Sequence, residues 1–165
     1  MPLKRIVSGG QTGVDRGALD AALAAGFPCG GWCPADRAAE DGTIANRYPV
    51  VELADAGYRE RTIQNVVDSD ATLIVYFGDL HGGTELTMLA CIRRERPYRL
   101  VDGAEIGAAR AAEIALAFVA KHAASILNVA GPRASHAPGA HAYALEAVTR
   151  LIALARDSSL TAGQR

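Results

Sequence analysis

An α/β fold built on a parallel sheet is the class that this 165-residue sequence predicts, and three observations carry it. Short β-rich runs alternate with longer Ala/Leu-rich segments, the order expected when helices cover a parallel sheet. Two runs, ATLIVYF at 71–77 and ILNVA at 126–130, are almost continuously apolar, as strands buried on both faces are. Glycine-rich loops follow three of the strands and lead into helices.

In chain order, residues 5–8 form the first strand and feed SGGQTGVDRGALDAAL. Within the helix at 14–25, Ala18, Leu19, Ala22 and Leu23 share one face, the spacing that buries a stripe against a sheet. Gly26 and Pro28 then stop it. Weaker strands lie at 29–33 and 50–53, and the stretch 28–49, rich in glycine and proline, reads as a long irregular loop of the kind that serves as a lid or specificity element. Further helices are expected at 58–69, 86–94, 108–122 and 140–155, with a strand at 99–101. No internal repeat is present. Residues 157–165 lack an apolar face and read as a flexible tail, which leaves a single domain over 1–156.

The 17 basic and 18 acidic residues give a net charge of −1, with no electrostatic footprint for nucleic acid. The apolar run near the N-terminus ends within three residues, and no later stretch is long enough to span a bilayer, so a cytoplasmic chain away from the membrane is expected. Cys29, Cys33 and Cys91 cannot all pair and read as free thiols. Cys29 and Cys33 are four apart with no second Cys/His pair to complete a zinc set, so no metal site is expected.

Chemistry concentrates in the three glycine loops. Gly9-Gly10-Gln11-Thr12-Gly13 opens a helix, so backbone N–H groups and the positive end of a helix dipole converge where an anion would sit. It lacks the Lys of a phosphate-binding P-loop and the three-glycine spacing of a dinucleotide fingerprint, and a plain tight turn is the other reading. The second loop reads Gly78-Asp79-Leu80-His81-Gly82-Gly83-Thr84-Glu85, and the third, Gly131-Pro132-Arg133-Ala134-Ser135-His136, adds a cation and a hydroxyl. In a parallel sheet all three gather at the carboxyl edge, where ligands bind, and together they point to a phosphate-bearing ligand. Asp15 is either a first-turn carboxylate favoured by the dipole or a ligand contact, and Arg16 either reaches phosphate or lies in water. Glu85 has the same two readings as Asp15. Asp68 and Asp70 read as turn-makers, and Trp32 as core or as a platform for a flat heterocycle. His81, His136 and His141 read as solvated loop residues, and no nucleophile is paired with a base.

The segments SGGQTGVDRGALDAAL, GGWCPADRAAEDG, YRERTIQNVVDSDATLIVYF, HGGTELT and LNVAGPRAS, in this order, resemble the molybdenum-cofactor carrier proteins. These are a circularly permuted branch of the SLOG superfamily, related to the lonely-guy phosphoribohydrolases. The resemblance runs from about Ile6 to the helix after Ser135. It implies a Rossmann-like three-layer sandwich with a mostly parallel central sheet, self-association into dimers or tetramers, and a pocket for a nucleotide or for the molybdenum cofactor (molybdopterin). Carried over by position, Gly9, Gly10, Thr12 and Gly13 would form one phosphate-facing loop, and Gly82, Gly83 and Thr84 the other. Arg37, Glu40 and Asp41 match the charged end of the GGWCP segment, while Asn65 and Arg133 match single polar positions. The phosphoribohydrolases carry Pro-Gly-Gly-x-Gly-Thr-x-x-Glu where this chain has His81-Gly82-Gly83-Thr84-Glu85. The departure weakens inherited glycosidase activity but leaves a backbone cradle intact.

The expected function is storage or delivery of the molybdenum cofactor, or of a related phosphorylated heterocycle, to molybdoenzymes. The binding set is Gly9, Gly10, Gln11, Thr12, Gly13, Arg16, Arg37, Gly82, Gly83, Thr84, Glu85, Arg133 and Ser135; molybdate alone would also fit the N–H nests. The alternative is an N-glycosidase of nucleoside 5′-monophosphates, with Glu85 or Glu40 stabilising an oxocarbenium-like centre and Arg133 or Arg37 clamping phosphate. A nucleotide-sensing module is a third reading.

Overall fold

In the computed structural model, which describes residues 3–163, the chain begins with β1 (Arg5–Val7), α1 (Val14–Ala24), β2 (Cys29–Gly30) and β3 (Trp32–Cys33). It continues through the short strands β4 (Ala38–Ala39), β5 (Gly42–Thr43) and β6 (Val51–Glu52) to α2 (Tyr58–Val67) and β7 (Ala71–Tyr76). The last third comprises α3 (Gly82–Arg93), β8 (Tyr98–Asp102), α4 (Ala108–Lys121), β9 (Ile126–Ala130) and α5 (Ala140–Ala162). The central sheet has the order β2-β1-β9-β7-β8 and is parallel throughout. Residues 71–75 of β7 are all buried, because helices cover both faces. Alanine-rich faces let α1, α4 and α5 pack closely over one side, where Ala18, Ala22, Ala111, Ala115, Ala144 and Leu151 join the main core. On the other side α2 and α3 pair around Val66, Ala90 and Cys91. The chain is thus a Rossmann-like three-layer α/β sandwich.

Three local expectations are corrected. Residues 29–33 are not one strand: at Gly31 (φ +134°) the chain leaves the central sheet, and Trp32–Cys33 pairs with β6 in a separate two-stranded ribbon. Residues 28–49 are not structureless, since β4 and β5 form an antiparallel pair beside a short 3₁₀ turn, Ala35–Arg37. This insert has its own small core of Leu19, Cys33, Ile44, Tyr48 and Val50. Residues 157–162, expected as tail, continue α5, and the hydroxyls of Ser158, Ser159 and Thr161 bond back to carbonyls three or four residues earlier. The remainder of that expected tail, 164–165, lies outside the described residues.

Candidate functional site

Strands β1, β9 and β7 lie side by side, and the loops after them open at one edge of the sheet. The helix after β1 goes to one face and the helix after β7 to the other, so a crevice forms between them, the place where such sheets bind ligands. A cleft occupies this position. It is lined by Gln11 and Asp15 after β1, by His81, Gly83 and Thr84 after β7, and by Gly131, Arg133 and His136 after β9. Helix α2 closes it with Tyr58, Arg59, Arg61 and Thr62.

The first loop is largely satisfied within the protein. The Gln11 N–H donates to Asp15 Oδ2 at 3.2 Å, the Thr12 N–H to Gln11 Oε1 at 3.0 Å and the Val14 N–H to the Pro132 carbonyl at 3.2 Å. Its glycines face protein. A Cβ on Gly9 would fall within 3.0 Å of three atoms of the Arg61 side chain, and one on Gly13 within 3.0 Å of the backbone of residues 132–134. Arg16 donates through Nε to the Gly10 carbonyl at 3.1 Å and forks onto Asp41.

Beneath this loop Asp15, 4% exposed, accepts a hydrogen bond from Arg61 Nη1 at 3.0 Å. Burial pushes the Asp15 carboxyl up, and Arg61 together with the Gln11 N–H pulls against that rise. Arg61 is itself only 11% exposed.

The second loop is open where the first is occupied. His81 adopts an extended conformation ahead of α3, and the first backbone N–H that bonds back along the helix is that of Glu85, to the His81 carbonyl at 3.3 Å. The N–H groups of Gly82, Gly83 and Thr84 therefore precede the helical ladder, and nothing lies within 4 Å of where a Cβ on Gly82 or Gly83 would project. From the third loop Arg133 lies over the Tyr58 ring at 5.3 Å, and the His136 ring is 5.7 Å from that of His81.

Glu40 forms a clasp. It accepts from the Thr12 hydroxyl, from Ser135 Oγ at 2.5 Å and from the Ser135 N–H at 3.1 Å, so one carboxylate ties the insert to the first and third loops. The hydrogen bonds from Ser135 and Thr12 hold its carboxyl below the usual range.

Of the expected site residues, the structure brings Gln11, Gly83, Thr84 and Arg133 to the cleft wall. Gly9, Gly10, Thr12, Gly13, Arg16, Glu40, Gly82, Glu85 and Ser135 are not among the residues that line it. Arg37 is turned to its own insert, where its guanidinium donates to the carbonyls of Ile44, Ala45, Tyr48 and Val50 at 2.7–3.0 Å. Those four bonds support a backbone with positive φ at both Asp36 and Arg37. Trp32 is a structural residue: its Nε1 donates to Asp68 Oδ2 at 2.7 Å, and Asn65 grips its backbone N–H and carbonyl. Asp70 accepts the N–H groups of Ser125 and Ile126, so its carboxylate joins the start of β7 to the start of β9, a long-range link in place of the expected local turn. Burial raises all three thiols, which disfavours a thiolate nucleophile. Among the described residues no three His, Cys, Asp or Glu side chains are placed to share a metal ion, and no helix is long and apolar enough to cross a membrane. Arg61, Arg59 and Tyr58 are cleft residues that the sequence reading missed.

A parallel Rossmann-like sandwich whose cleft lies at the reversal of helix direction defines the class. Residues 6–152 match the circularly permutated YpsA SLOG family, and the chain belongs to it. The chain is also similar to the crystal structure of the "putative molybdenum carrier protein" from Syntrophus aciditrophicus SB, at 37% identity and a TM-score of 0.88, covering 92% of this chain and 96% of that one. Comparison with curated proteins finds no match.

Proposed function

We propose that the chain holds the molybdenum cofactor, or a related phosphorylated heterocycle, in this cleft for storage or delivery, without changing it. One observation supports this most: the open N-terminus of α3 and the Arg133 side chain border the same cleft, giving a phosphate both backbone N–H donors and a cation. The similar structure is that of a protein named a "putative molybdenum carrier protein".

The carboxylates favour carriage over N-glycoside cleavage. Glu40 is held as a charged acceptor between two loops, Glu85 does not line the cleft, and Asp15 is engaged by Arg61. The one carboxyl that burial raises, Asp15, lines the cleft but is tied to Arg61 and to the Gln11 N–H instead of being free to act as a general acid. Self-association, hand-over to molybdoenzymes and a cytoplasmic setting belong to the same reading.

Native mass spectrometry of freshly purified protein, followed by accurate-mass analysis of what denaturation releases, tests both cargo and assembly. A molybdopterin species or its oxidised pterin is expected. Dialysed protein that binds neither the cofactor, nucleoside monophosphates nor molybdate at micromolar levels would refute carriage. Free base released from a nucleoside monophosphate panel would establish the hydrolase instead.

A further inference from the structure

Gln11 and Arg61 both bond to Asp15 beside the cleft, and each carries a buried hydrogen-bond donor that no described residue satisfies. The orientation of the Gln11 amide follows from its neighbours: one end accepts the N–H groups of Thr12 at 3.0 Å and Glu40 at 2.9 Å, so that end is Oε1 and the other is the NH₂. This Nε2 is buried and unpartnered, in a residue that is 6% exposed and lines the cleft. Arg61 repeats the pattern. Its Nη1 is engaged by Asp15, while its Nε is buried without a partner. Both groups are donors with no acceptor capacity, and a buried donor left unpaired is costly.

Charge decides what kind of acceptor suits them. The Arg61 guanidinium is balanced by Asp15 at 3.0 Å, so this floor is close to neutral, and a phosphate placed there would lie against the Asp15 carboxylate. The α3 start and Arg133 offer phosphate a better position. The floor instead suits a neutral edge rich in acceptors, such as a ring carbonyl beside a ring nitrogen, the pattern a guanidinium reads on guanine. Adenine presents an amino donor at that edge, which would meet donors with a donor.

We infer that the cleft floor, through Gln11 Nε2 and Arg61, selects keto heterocycles of the 6-oxopurine or pterin class over amino-substituted rings such as adenine. The inference rests on the carrier reading and adds to it the chemistry of the ring. Both donors are closed to solvent, so contact requires the Arg61 side chain to swing from its place over Gly9.

Isothermal titration of the dialysed full-length protein with GMP, IMP, AMP and ribose 5-phosphate provides the test. GMP and IMP are expected to bind roughly tenfold or more tightly than AMP. Gln11→Glu keeps an oxygen where Oε1 sits and replaces the donor by an acceptor; it should level or reverse that preference. Arg61→Lys keeps a cation for Asp15 and removes Nε, levelling the preference by an independent route should the first variant fold poorly. Equal affinity for AMP and GMP in the parent, or an unchanged ratio in both folded variants, overturns the assignment of the ring. Absence of binding by all four compounds overturns the ring assignment, and the carrier reading falls with it only if the molybdenum cofactor and molybdate also fail to bind.

Discussion

Replacing Gly13 by alanine separates the glycines this fold needs for packing from those it keeps open for a ligand. Gly13 has φ +80° and ψ −128°, a region L side chains avoid. A Cβ there would lie within 3.0 Å of the Pro132 carbonyl oxygen and at 2.9 Å from both the Ala134 nitrogen and the Arg133 carbonyl carbon. All three are backbone atoms, so no side chain can rotate away. Backbone strain of about 1–3 kcal/mol and overpacking of about 1–3 kcal/mol give an expected loss of roughly 2–6 kcal/mol. For a chain of this size that corresponds to a fall in Tm of at least about 5 °C. Gly83→Ala is the control: its Cβ meets open space, and its expected change is within about 1 kcal/mol. Urea unfolding followed by circular dichroism measures both. If Gly13→Ala unfolds within about 1 kcal/mol of the parent, the close backbone packing between the first and third loops is not what requires glycine there.

Three further outcomes follow from the site. Arg61→Met strands the buried Asp15 carboxylate and should lower stability at neutral pH by about 3–5 kcal/mol. Because burial raises the Asp15 pKa, that loss should be absent in acid and grow as pH rises through the raised value; a urea midpoint independent of pH, beyond the parent's own dependence, would contradict it. Glu40 has the opposite sign: its lowered pKa makes the clasp strongest above the ordinary glutamate range and loosens it as pH falls through the folded value. The Ser135 amide resonance should follow that titration, and Glu40→Gln should abolish it. Gly83→Asp places a carboxylate at the α3 start, where it should weaken binding of phosphorylated ligands at least about tenfold while the Tm stays near the parent's.

The layered fold was legible because its signals are local. ATLIVYF and ILNVA read as doubly buried strands, and they occupy the interior of the sheet as β7 and β9. The start of α3 was read four residues late, since Gly82 and Gly83 look like loop while in fact forming its first turn. The split at Gly31 depends on a partner, β6, almost twenty residues further on, which no local pattern reveals. At the site, the second and third loops were legible from glycine, threonine and arginine following strands. Arg61 was not, because a cation within YRERT reads as solvated, and its partner Asp15 lies 46 residues away. One signal was present: Tyr58, Arg61, Thr62 and Asn65 recur at helical spacing where a sheet-facing helix would ordinarily carry an apolar stripe. The surroundings of the first loop were hidden for a related reason. Sequence shows that its backbone is bare, but not that Arg61 and the backbone of Pro132 fill the space beside it while Asp15 and the Pro132 carbonyl accept its donors.

Strand β9 is the seam of the central sheet: β1 and β7 each pair with it and neither pairs with the other. As the chain emerges during synthesis, β1–α1–β2 and β7–α3–β8 appear as two separate fragments, each with an inner strand edge awaiting residues 126–130. Such unpaired edges are templates for another chain. Closure joins segments as distant as Ser8, whose hydroxyl donates to the Val129 carbonyl at 2.7 Å across 121 positions. Bringing together segments so far apart slows folding. The cleft, flanked by loops from both fragments, comes into existence only when that last strand slides between them.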